Sequence, residues 1–183
     1  MRLFLAFKIE PDKRLKQIYF QIKKLMKGQR VKFYSLDEMF LILRYLPEAE
    51  PEYLSDINRF IAEEVVGYGS ISVSLQGVDI YPYKVMPRVL WFRAEAEQRL
   101  MKLAENLDKR AVEFGFAPEF FSFYPHVTFA RIRRIEQEER LDILEQKFKT
   151  FTPINFSFSQ LILFESLQSR NGNIYRIRNR FSL

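Results

Sequence analysis

The residues best suited to chemistry lie in Ser122-Phe123-Tyr124-Pro125-His126-Val127-Thr128-Phe129-Ala130-Arg131, a stretch that holds the one histidine of the chain. As a strand it sends His126, Thr128 and Ala130 to one face and Val127, Phe129 and Arg131 to the other, because side chains alternate along a strand. A neutral imidazole exchanges a proton near pH 7, and a threonine hydroxyl bonds a non-bridging phosphate oxygen. The pair can therefore hold a phosphate and act on it. The same residue types also suit a histidine that merely hydrogen-bonds within a strand. What separates the two readings is an echo of this stretch earlier in the chain.

Composition narrows the field first. The 183 residues are 48% apolar and include 19 Phe, enough for one substantial core or two small lobes sharing one. Cysteine is absent, which removes disulfides, thiolate nucleophiles and cysteine metal sites and suits a reducing cytoplasm. One histidine and no dense acidic cluster argue against a metal centre, and no cofactor is expected. The opening Met1 to Glu10 meets charge too early for a signal peptide, and no apolar run approaches membrane-spanning length. A cytoplasmic monomer without membrane contact is the expectation. The net charge of +6 favours a polyanionic partner. Part of that surplus, Lys13, Arg14, Lys16, Lys23, Lys24 and Lys27, falls on one helix and equally suits a solvated face.

The elements follow from periodicity. Leu3 to Ile9 reads as a buried strand, and Leu15, Ile18, Tyr19, Ile22, Leu25 and Met26 recur at helical spacing up to a stop at Gly28. Phe40 to Leu46 is a second apolar strand ended by Pro47, followed by a helix with Leu54, Ile57, Ile61 and Val65 on one side. Ser70 to Tyr81 alternates as a half-exposed strand, and Pro82 and Pro87 bracket a turn. Val89 to Phe92 opens the second half, with a helix through Leu100, Leu103, Leu107 and Ala111 to Gly115, an aromatic loop from Phe116 to Pro125, and the His126 strand. A helix around Leu141, Leu144 and Phe148 leads to one long strand from Ile154 to Phe164. Asn171-Gly172 signals a hairpin, and Ile174 to Phe181 closes the chain.

Both halves thus read strand, helix, strand, helix, strand. Leu3 and Phe40 are 37 positions apart, as are Val89 and His126, and a shift of 86 lays Ile71-Ser72-Val73-Ser74 on Ser157-Phe158-Ser159-Gln160. Matching offsets point to an α+β fold of two pseudo-symmetric lobes, about residues 1–86 and 87–183 of a single domain, with strand exchange between them allowed. Each lobe would be an antiparallel sheet with helices outside, and a central cleft would set the Phe40 strand opposite the His126 strand.

At this point the chain resembles the 2H phosphoesterases, specifically the RNA 2′,3′-cyclic phosphodiesterases also called the 2′-5′ RNA ligase family. That family carries two His-x-Thr motifs facing each other across a cleft. His126-Val127-Thr128-Phe129-Ala130-Arg131 matches its second motif, and further landmarks are Met1-Arg2-Leu3-Phe4-Leu5-Ala6, Pro87-Arg88-Val89-Leu90-Trp91, Phe164-Glu165-Ser166 and Arg180 to Leu183. The resemblance implies a substrate of RNA with a 2′,3′-cyclic phosphate or 2′-5′ linkage, or a small cyclic nucleotide. The first motif departs from the pattern: Phe40-Leu41-Ile42-Leu43-Arg44-Tyr45-Leu46 stands where the family has His-Leu-Thr-Leu-Lys-Phe-Leu, so Phe40 and Ile42 replace its histidine and threonine.

Opening a cyclic phosphodiester takes a base for water and an acid for the leaving ribose oxygen, and losing one such group costs roughly 10²- to 10⁴-fold in rate. Catalysis by His126 and Thr128 alone is therefore expected to be impaired. Strand parity sets Arg44 on the face of Phe40 and Ile42, where it could clamp phosphate. Arg131 falls off the His126 face in a regular strand, so a role for it as a phosphate ligand requires a bulge or a turn there, and only the resemblance supports it. Tyr124, Tyr34 and Tyr45 are candidate acids or stacking groups, although a phenol near 10 is poorly matched to neutral pH. Phe40 either fills the vacated site or stacks on a base. Three functions remain in view: a divergent, slow phosphodiesterase, a catalytically inactive module that binds RNA ends or nucleotides, and, ranked below these, a protein whose cleft has closed and which acts by contacting another protein.

Overall fold

The computed structural model of the chain describes residues 1–82, 86–170 and 172–183. Strand β1 (Leu3–Lys8) is buried at five successive positions, as a strand covered on both faces must be. Helix α1 (Lys13–Leu25) begins where the Asp12 side chain accepts the Leu15 N–H at 2.7 Å, and it buries Leu15, Tyr19 and Ile22. A strand that periodicity misses, β2 (Arg30–Phe33), comes next; four residues of alternating charge are too short to announce it. The chain continues through β3 (Phe40–Leu46), α2 (Leu54–Glu64), β4 (Ile71–Tyr81), β5 (Val89–Ala96) and α3 (Gln98–Phe114). Helix α3 ends at Gly115, whose φ of 111° costs a glycine nothing. Strand β6 (His126–Arg134), α4 (Glu139–Phe148), β7 (Ile154–Phe158), β8 (Gln160–Ser169) and β9 (Gly172–Ser182) complete the order.

The strands run β7-β4-β5-β6-β3-β1-β8-β9, with β2 added on β6, and all pairings are antiparallel. Strands β3 and β6 are held by a single register pair, Leu41 with Val127. The path is thus one sheet whose two halves meet at a seam of a single pair, and the strands expected to oppose each other lie side by side along it. The sequence halves exchange strands: β4 of the first half pairs with β5, while β8 of the second half pairs with β1.

The 37-residue spacing is realised in the strand starts, Leu3 and Phe40 in one half of the sheet and Val89 and His126 in the other. The shift of 86 is not: β8 holds against β1 the place that β4 holds against β5, and β8 starts at Gln160 rather than Ser157. The expected long strand from Ile154 to Phe164 is also two strands. It breaks at Ser159 into β7, which pairs with β4, and β8, which pairs with β1 and β9; the alternation of Phe156 and Phe158 with Ser157 and Ser159 runs on through the break and carries no mark of the change of partner. The Asn171-Gly172 hairpin signal and the turn between Pro82 and Pro87 rest on Asn171 and residues 83–85, which lie outside the described residues.

All four helices feed one core on the same side of the sheets, through Leu15, Ile57, Leu103 and Leu144 among others. A second, smaller cluster of Phe4, Ala6, Phe40 and Phe164 forms apart from it. Among the described residues, no helix is long and apolar enough to cross a membrane.

Candidate active site

Strand β6 is not regular. Against β5 its register runs Arg93 with His126, Trp91 with Thr128, then Leu90 with Ala130 and Val89 with Arg131, so Phe129 is an extra residue. Such a bulge inverts the alternation beyond it. Val127, Phe129, Ala130 and Ile132 are buried in the core, while His126, Thr128 and Arg131 share the opposite face. The condition set on Arg131 by strand parity is met by the backbone. Ala130, placed by parity beside His126, turns inward for the same reason.

His126 Nδ1 lies 2.7 Å from the Tyr124 carbonyl oxygen. A carbonyl only accepts, so Nδ1 carries the proton and Nε2 of the neutral ring keeps its lone pair. Burial pushes the His126 pKa below its ordinary 6.5, against a smaller upward push from that same hydrogen bond. The ring is therefore a free base at neutral pH. Thr128 is half-buried beside it.

An aromatic wall adjoins the histidine. The Trp91 ring lies 4.2 Å from the imidazole and stacks on Tyr81 at 4.8 Å with 20° between planes, and Tyr124 sits 6.0 Å from Trp91. A cavity of about 1030 Å³ is lined by His126, Tyr124, Trp91, Tyr81, Phe120 and Phe121 together with residues of α3. Phe120 and Phe121 are 90% and 71% exposed. Sequence reasoning noted the Trp91 segment as a landmark but not the ring's position; only the β5–β6 register brings it to Thr128.

The β3 side is different in kind. Phe40 is 8% exposed and packs against Phe164, Tyr175 and Phe4 at ring distances of 4.8, 5.1 and 5.5 Å. Ile42 packs against the same cluster. Phe40 thus fills its site and offers no open face for a base.

Arg44 requires a correction. Leu5 pairs with Arg44 and Ala6 with Ile42, so Leu43 is extra and β3 bulges there. Arg44 turns to the helix side, 3% exposed, away from the face of Phe40 and Ile42. There it pairs with Asp108 at 2.9 Å and Glu119 at 2.8 Å and donates to the Ala117 carbonyl. It anchors the aromatic loop to α3 and is not available to phosphate. Tyr45 takes the outward place instead and lines the cavity with His126. Although half its surface is exposed, burial of its surroundings, with further upward pushes from Tyr175, Glu119 and Tyr34, raises its pKa to about 12. Burial also raises Tyr34, against the pull of Arg131. Neither phenol is an acid suited to neutral pH. Among the described residues, no three His, Asp or Glu side chains gather as a metal site.

The architecture is that of the two-lobed phosphoesterases. The chain superposes on E. coli LigT complexed with 3′-AMP with a TM-score of 0.77 at 20% identity, covering 100% of this chain and 97% of that one. A family model described as LigT like Phosphoesterase matches residues 92–175. Over 180 residues the chain is 30% identical to an RNA 2′,3′-cyclic phosphodiesterase of Thermotoga maritima, covering 97% of this chain and 92% of that protein. A second protein of that name, from Methanocaldococcus jannaschii, is 25% identical over 177 residues, covering 97% of this chain and 98% of that protein. The chain belongs to the LigT-like 2H phosphoesterase family.

Proposed function

We propose that the chain hydrolyses RNA ends bearing a 2′,3′-cyclic phosphate, or small cyclic nucleotides, slowly and with one histidine. The observation that carries this reading is the His126 ring, fixed through Nδ1 with Nε2 free, on one face with Thr128 and Arg131. In the proposed step Nε2 takes a proton from water, the water oxygen bonds to phosphorus, and the bond from phosphorus to one ribose oxygen breaks. Solvent protonates the leaving oxygen, because Phe40 stands where a second imidazole would supply that proton. Thr128 donates to a non-bridging oxygen and Arg131 balances the charge that develops there. Tyr81 and Trp91 offer a stacking wall for the terminal base. Absence of the acid costs roughly 10²- to 10⁴-fold relative to a two-histidine site.

Single-turnover hydrolysis of a short RNA with a 2′,3′-cyclic end, with protein in excess and chelator present, tests the reading. Wild type should cleave, and His126→Ala should reduce cleavage to the background rate. A second reading, an inactive binder of RNA ends or nucleotides, is favoured by the packing of Phe40 among Phe4, Phe164 and Tyr175. Retention of the labelled RNA by wild type with no cleavage would establish it and sink the first.

A further inference from the structure

We infer that the paired strands β2 and β6 form a basic ladder that continues the cleft and holds the single RNA strand leading up to the cyclic end. What occupies the cleft rests on the reading above; the ladder is argued from its own geometry. Lys32 pairs with Arg131 and Arg30 with Arg134, with Arg133 as the extra residue between the rungs. Val31 and Phe33 pack against the core, Phe33 lying 5.7 Å from Tyr19 and 6.3 Å from Phe129, so Arg30 and Lys32 face outward. Arg131 faces the same way as Thr128 and His126, and the ladder therefore starts at the catalytic strand itself.

Like charges directly opposite across a strand pair destabilise it. Arg44, Arg93, Arg99 and Arg110, on other elements, each pair with a carboxylate. On the ladder only Arg134 is answered, by Glu136 at 3.2 Å. Among the described residues, Arg30, Lys32, Arg131 and Arg133 form no ion pair. The backbone nevertheless holds them firmly. Tyr34 N–H donates to the Phe129 carbonyl at 2.9 Å, the Tyr19 hydroxyl donates to the Tyr34 carbonyl at 2.6 Å, and the Gln29 side chain accepts from Glu136 N–H at 2.7 Å. Fixed cations two strand residues apart, about 7 Å along the strand, suit successive phosphates of an extended strand. An anion between the rungs would relieve the repulsion that folding leaves there.

The test compares binding of two labelled single-stranded RNAs of one sequence, one ending in a 3′-hydroxyl and one in a 2′,3′-cyclic phosphate. Wild type is set against Arg30→Gln/Lys32→Gln, whose fold is checked by thermal melting. The variant should lose on the order of tenfold in affinity for both RNAs, and its salt slope should shrink by about 1.4, since each single-strand phosphate contact contributes about 0.7. Hydrolysis of a cyclic mononucleotide should not change. Unaltered affinity and slope would overturn the ladder, as would failure of wild type to bind either RNA, and a duplex held as tightly as the single strand would overturn the extended path. If wild type hydrolyses neither cyclic substrate while the variant still weakens binding of the hydroxyl-ended RNA, the ladder stands and the catalytic reading alone fails.

Discussion

Strands β3 and β6 begin at matching places in the two halves of the sheet, and each bulges at its fourth residue, Leu43 against β1 and Phe129 against β5. The consequences correspond step for step. The residue after the bulge, Arg44 or Ala130, turns to the core, and the next, Tyr45 or Arg131, turns outward. Between two strands of the same shape the contents differ. Strand β6 presents His126, Thr128 and Arg131, whereas β3 presents Phe40, Ile42 and Tyr45. The same backbone thus carries different side chains, because sheet pairing and the bulge set the aim while the side chains answer to their own surroundings. Phe40 lies in an aromatic cluster with Phe4, Phe164 and Tyr175, and burying such a ring stabilises the fold by about 2–3 kcal/mol.

Giving β3 the residues of β6 should supply the acid that the proposed step takes from solvent. Phe40→His with Ile42→Thr is expected to raise single-turnover hydrolysis of a cyclic-ended RNA by roughly 10²- to 10⁴-fold. The pH profile should also turn from one-sided to bell-shaped, since the new imidazole must be protonated to act as acid. An unchanged rate in a folded double variant would mean that the two strands, though alike in backbone, do not address one phosphate.

The next effect concerns the residue after the bulge. Arg44→Ala copies Ala130 and strands Asp108 and Glu119 without their cation. Deleting one partner of a buried pair costs about 3–5 kcal/mol; here both carboxylates are about one-third exposed, so about 2–3 kcal/mol is expected in urea unfolding. Adding Glu119→Gln should recover part of that loss. A cost within about 0.5 kcal/mol would show that Arg44 is as dispensable in β3 as a large side chain would be at Ala130.

How much of this was legible follows from the same residues. The starts of four strands were readable because Leu3, Phe40, Val89 and His126 combine apolar runs with an equal spacing, and the helices because their apolar stripes end at Gly28 and Gly115. The bulges were not. One extra residue leaves composition and pattern intact, yet it inverts every side chain beyond it, which withdrew Arg44 from the cleft and returned Arg131 to it. Strand β2 escaped notice because its signal is two inward side chains, Val31 and Phe33, and Trp91 joined the site only through cross-strand register.

The smallest expected effect is the pH dependence of stability that His126 brings and Phe40 does not. Burial lowers the histidine's pKa in the fold below the 6.5 of the unfolded chain. Above that pH both states are neutral at this ring and it contributes nothing. As pH falls through 6.5 the unfolded chain takes up the proton first, so the fold loses stability until the pH drops below the folded pKa, where the loss levels off. Thermal melts of wild type and His126→Gln should therefore differ by a constant above pH 7, with wild type losing ground on acidification. The rate of hydrolysis should fall only at the lower edge of that window, where Nε2 of the folded protein is protonated. A wild type that instead gains on the variant in acid would place a carboxylate or bound anion at the ring, and the site would then hold a charge partner that Phe40's side of the seam lacks altogether.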